Sequence, residues 1–128
     1  MQSLATLSRA IPTGLFDNRA IGDFLTRLFA AQGRTNDFRR LRARLYLVAT
    51  NLDTGSPVAF GGPGHDDVPI SRAIEASSAL PGLFPPVEIG GDHYVDGALN
   101  KTLHASLALD AGADLVLCIN PLVPFDAQ

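Results

Sequence analysis

A single cysteine in 128 residues, Cys118, has no partner for an internal disulfide, so a reducing compartment is the simpler expectation. No apolar run approaches the roughly 20 residues that cross a bilayer. Residues 1–9 lack the basic end and apolar stretch of a secretory signal, which places the chain in the cytoplasm as an expectation. Peripheral attachment to a lipid surface needs no span and stays open. Positive charge is also short: 10 Lys and Arg against 13 Asp and Glu leave a net charge of −3. That balance argues against nucleic acid, whose binding needs a clustered positive surface. Metal-ligand spacing is missing too. His65, His93 and His104 are scattered, with no helical pair and no cysteine partner, so neither a metal nor another cofactor is expected.

The glycine run Gly61-Gly62-Pro63-Gly64 fails as a phosphate loop. Pro63 removes an amide, and the acidic pair Asp66-Asp67 follows, repelling an anion. A plain connection is the better reading, and a flavodoxin-like nucleotide module loses its support.

What remains is a folding composition. Residues are 46% hydrophobic and 18% charged, at a length suited to one core. Residues 1–18 carry Pro12, Gly14 and Asp17-Asn18 and read as an approach segment. Ile21, Phe24, Leu25, Leu28 and Phe29 share one face at helical spacing, with Asn18 placed to cap the start and Gly33 to end it. Arg34, Arg39, Arg40, Arg42 and Arg44 follow; solvated surface is the favoured reading, with a lipid head-group patch as the alternative.

Leu45–Thr50 (LYLVAT) is a continuous apolar run, expected as a strand buried on both faces, with Thr54-Gly55 turning into a short strand Pro57–Phe60. Pro69–Ala79 predicts a helix of small residues, started by Pro69 and stopped by Pro81-Gly82. Val87–Ile89 and His93–Val95 predict a hairpin over Gly90-Gly91-Asp92. Leu103–Ala111 predicts a last helix, and Leu115–Ile119 (LVLCI) a second buried strand holding Cys118 as an inert core thiol. Buried strands alternating with helices predict an α/β architecture with a largely parallel sheet, whose chemistry gathers at the strands' carboxyl ends.

Asp96 follows the hairpin's second strand. Asp-Gly alone is a common turn pair. Here, however, Gly97 and Ala98 leave open space beside the carboxylate. The stretches LYLVATNLDTG (45–55), PISRAIEASSALPGLFPP (69–86), YVDGA (94–98) and AGADLV (111–116) then stand in the order and spacing of a known family. From about Ile11 onward the chain resembles the patatin-like phospholipases, lipid acyl hydrolases.

That resemblance implies a partial three-layer α/β/α domain, with residues 19–125 as the carboxy-terminal part of it. It implies a serine hydrolase of lipid acyl esters working with a Ser–Asp dyad, Asp96 of the D-G-A motif (Asp96, Gly97, Ala98) being the general base. The nucleophile belongs in a G-x-S-x-G turn, and a glycine-rich loop supplies the oxyanion donors. Neither motif occurs in this sequence: Ser3, Ser8, Ser56, Ser71, Ser77, Ser78 and Ser106 all lack the flanking glycines. A truncated or remnant domain, inactive alone, is therefore expected, contributing Asp96 and part of an acyl pocket. Phe60, Leu83, Phe84 and Val87 are candidate walls of that pocket, with core packing an equal alternative. His104 is a candidate neighbour of Asp96, with a structural role favoured. Residues 100–104 (NKTLH) depart from the Asn-x-Pro stretch that members often carry there. The competing reading is a non-catalytic binding or scaffolding remnant of the same fold.

Overall fold

A computed structural model describes residues 17–101 and 103–120. The approach segment expected over residues 1–18 lies outside them except for its last two residues.

The first helix, α1 (Arg19–Phe29), follows the apolar spacing. Its start differs in detail from expectation. Asn18 occupies the N-cap position in an αR conformation and caps nothing with its side chain; Asp17 Oδ1 instead accepts from the Arg19 amide at 2.9 Å. The helix also stops at Phe29, with Gly33 at φ +79° only later, in the following turn. Asp37 then caps a 3-10 turn, Phe38–Arg40, which drives Phe38 into the core and leaves the arginines outside.

Two hairpins build the sheet. Strand β1 (Leu47–Asn51) turns into β2 (Pro57–Phe60) because Asn51 Oδ1 accepts from the amides of Asp53 and Thr54, at 2.9 and 3.1 Å, and Gly55 takes φ +70°. Strand β3 (Val87–Ile89) turns into β4 (Asp92–Asp96) over Gly90 and Gly91, at φ +63° and +93°. Positive φ at both turn positions suits the twist of a two-residue hairpin. Between the hairpins runs α2 (Ile70–Ser77), with Pro69 preceding its first turn. After β4 come a 3-10 turn, Gly97–Leu99, and a short helix α3 (Ala105–Asp110).

The sheet order is β2-β1-β4-β3, and every pair is antiparallel. The expected largely parallel sheet, and the three-layer α/β/α domain built on it, are therefore overturned. Parallel neighbours need a crossover between successive strands. Here both short connections are hairpins, and the α2 connection returns the chain so that β4 runs against β1. The second expected strand does not form: residues 115–119 are in no strand, with Leu115, Leu117 and Ile119 exposed by 77, 85 and 86%. Cys118 is accordingly exposed, not a core thiol.

The core lies between the sheet and α2. Phe60, Ala49 and Tyr94 meet Ile70, Ala73, Ala76 and Ala79, with Phe60 and Tyr94 edge to face at 5.1 Å. Two fully buried alanines, Ala73 and Ala76, let α2 approach the sheet closely, as its small-residue composition predicts. Burying Phe60 alone contributes about 1.5–3 kcal/mol. Helix α1 packs behind α2 through Gly22, where an added Cβ would stand 2.7 Å from Glu75 Oε2. Glu75 is itself buried, and Arg72 pairs with it at 2.6 Å.

Candidate active site

Asp96 is the last residue of β4, carried there by two buried residues, Tyr94 and Val95. Several elements hold its backbone. Its amide donates to Ala79 O at 3.0 Å, tying the strand end to the exit of α2. Its carbonyl accepts from Thr50 Oγ1 at 3.4 Å, and Asn100 Nδ2 donates to that same hydroxyl at 3.2 Å and to Gly55 O at 3.3 Å. Register puts Asp96 opposite Ala49, so both side chains leave the sheet on the α2 face.

Gly97 is where the chain leaves the sheet. A Cβ there would fall 2.6 Å from Val48 O, so only glycine permits this approach. Ser77 Oγ donates to the same Val48 oxygen at 2.7 Å. The serine pair thus has the packing role that its helical position suggests, since Ser78 Oγ donates to Ile74 O one turn back.

The half-buried Asp96 carboxylate is used unequally. Oδ1 accepts from the Ala98 amide at 2.8 Å and caps the 3-10 turn. Among the described residues no donor reaches Oδ2. His104 has a ring nitrogen 3.5 Å from Gly97 O and lines a hollow of about 190 Å³ with Val48, Pro57, Ala59 and Leu107. Asp96 does not line that hollow.

A hollow of about 520 Å³ is lined by Phe60, His65, Arg72, Glu88, Asp92 and Tyr94 among others. It reaches from the start of β4 to Tyr94, two residues or about 7 Å along the strand from Asp96. Burial, and then the Asp92 carboxylate, raise the Tyr94 phenol above its ordinary pKa. At the same end Asp53 receives the His93 amide at 2.8 Å, which holds its carboxyl below the usual value. Of the expected pocket walls, Phe60 and Val87 are core, Phe84 packs against the core, and Leu83 is 39% exposed. They form no common wall beside Asp96.

Sequence reasoning missed the role of Asn100, which acts through a hydroxyl and a carbonyl 50 and 45 residues away, contacts that no local pattern carries.

An aspartate closing a strand, followed by a glycine that must pass over a neighbouring carbonyl, gives a carboxylate in a fixed backbone setting. A family model for patatin-like phospholipase matches residues 2–109, which include all four strands and the Asp96-Gly97-Ala98 turn, and the chain belongs to that family. The family is one of lipid acyl hydrolases, and its substrates are lipids. Among the described residues no helix is long and apolar enough to cross a membrane. Nor does any group of three or more His, Cys, Asp or Glu side chains there suit a metal ion.

Proposed function

We propose that Asp96 is the general base of a Ser–Asp dyad that cleaves lipid acyl esters, of phospholipase A or lysophospholipase type, and that the serine comes from outside these 128 residues. The observation that carries the reading is the carboxylate itself: among the described residues Oδ2 has no donor, while Oδ1, the amide and the carbonyl of Asp96 are each held. A serine hydroxyl meeting Oδ2 gives up its proton as its oxygen attacks the acyl carbonyl. The ester C–O bond then breaks, the alcohol leaves with that proton, and water releases the acyl group from serine by the same route.

A free Asp, with a pKa of about 3.9, is a weak base at neutrality. Without oxyanion donors, each worth roughly 100- to 1,000-fold, the chain alone is inactive.

The test supplies the missing group. The chain is co-expressed with a polypeptide carrying the family's G-x-S-x-G segment and assayed on a chromogenic short-chain ester. Hydrolysis that appears only in the mixture and disappears with Asp96→Asn supports the dyad; hydrolysis that survives Asp96→Asn rules out Asp96 as the base. One observation favours the competing reading of a non-catalytic remnant: Oδ1 caps its own turn and none of the hollows described above includes Asp96. In that case the mixture stays inactive although both partners fold.

A further inference from the structure

Helix α1 carries more apolar surface than its neighbours cover. At about 100° per residue, Gly22, Thr26 and Phe29 point toward α2 and the core. Contacts bear this out: Gly22 meets Glu75, Thr26 Oγ1 lies 3.3 Å from Ser71 Oγ, and Phe29 packs against the core cluster. Ile21, Phe24 and Leu28 lie on the adjoining arc, turned away from α2. Ile21 is 41% and Phe24 57% exposed. Along the edge of this arc sits Arg27, and Arg34 folds back to donate to Leu28 O at 3.3 Å.

Charge is distributed just as unevenly. Residues 17–44 hold seven arginines and three aspartates, a balance of +4 within a chain whose net charge is −3. Two of the three aspartates, Asp17 and Asp37, are paired with Arg19 and Arg39. Among the described residues Arg27, Arg40 and Arg42 have no carboxylate within ion-pair distance.

We propose that the Ile21–Phe24–Leu28 face of α1, flanked by Arg27 and Arg34, is a docking surface for an anionic lipid bilayer. An exposed apolar helical stripe with arginines beside it has the composition of a helix lying in the head-group plane. Phe24 and Ile21 reach the acyl boundary there, and the guanidinium groups meet lipid phosphates at the level of the helix. The excess of cations confined to this segment, beside an exposed apolar stripe, is complementary to an anionic surface with an acyl layer beneath it. The proposal stands whether or not Asp96 is a base, because binding requires no turnover.

The test is vesicle co-sedimentation of the purified chain, using phosphatidylcholine alone and phosphatidylcholine with phosphatidylserine. The chain pellets with the mixed vesicles and not with the neutral ones, and less as salt rises. Ile21→Ser with Phe24→Ser abolishes pelleting. Arg27→Glu with Arg34→Glu weakens it by at least about tenfold, a surface arginine being worth about fivefold. Cooperative thermal melts show that both variants stay folded, the altered side chains lying outside the core cluster. Failure to pellet with the mixed vesicles overturns the proposal, including the case in which light scattering shows a second copy covering the face. Equal pelleting with both vesicle types, or pelleting unchanged in the variants, overturns it as well.

Discussion

At Gly97 the backbone passes so close to β1 that a single methyl group has no room. An added Cβ would sit 2.6 Å from Val48 O, an oxygen already holding Ser77 Oγ. Gly97→Ala therefore displaces the turn that carries Asp96 and costs about 1–3 kcal/mol, read as a lower midpoint in urea unfolding. Asp96 itself separates two roles. Asp96→Asn keeps an oxygen for the Ala98 amide and leaves stability within about 0.5 kcal/mol, whereas Asp96→Ala loses the cap and about 1 kcal/mol. The same unfolding measurement checks both. The place of Asp96 at a strand end was legible in the sequence, because the expected strand His93–Val95 follows a glycine turn and runs directly into it. The use of Oδ1 as a cap is the ordinary behaviour of an Asp-Gly pair. Asn100, which bridges Thr50 and Gly55, was not legible: its partners lie on another strand and another turn.

Among the elements, the glycine-based hairpin β3–β4 and the small-residue helix α2 follow directly from local chemistry. Gly90-Gly91 supplies positive φ twice, and Ala73 and Ala76 leave α2 little bulk where it meets the sheet. The sense of the sheet does not follow from such patterns. The run LYLVAT is equally apolar in a parallel or an antiparallel neighbourhood. Here only Ala49, Thr50 and Asn51 are consecutively buried, the central position of β1 being set by both hairpins. Residues 115–119 carry a strand composition without a strand partner, so their apolar pattern reports propensity alone.

The two hairpins are joined at Asp53, which reaches from the β1–β2 turn to the His93 amide. That hydrogen bond lowers the Asp53 pKa from its ordinary 3.8. The stabilisation is present above the unfolded value and is lost as pH falls through the folded one. Asp53→Ala should therefore lower the melting temperature at neutral pH. The gap to the parent should close as pH drops below about 3.8 toward the lowered folded value. A gap that persists unchanged in that acid range means that the carboxylate is not the source.

At the scale of the molecule, several large apolar side chains among the described residues stay exposed. Leu115, Leu117 and Ile119 are each more than three-quarters exposed, in addition to the α1 face. Such surface associates in water. Size exclusion with light scattering should find species larger than the monomer at high concentration, and Leu117→Lys should reduce them. A monodisperse parent chain at high concentration would contradict this. The fold nevertheless has a true core between α2 and the sheet, so association is expected of folded molecules, with a cooperative melt. We propose for this family member that Asp96 serves as a base whose serine partner lies outside these 128 residues. Ester hydrolysis by the purified chain, before and after the family's G-x-S-x-G segment is supplied by co-expression, tests it most directly. No turnover above buffer alone, turnover in the mixture, and its loss with Asp96→Asn is the predicted result; turnover by the chain alone that survives repurification and vanishes with Asp96→Ala contradicts it.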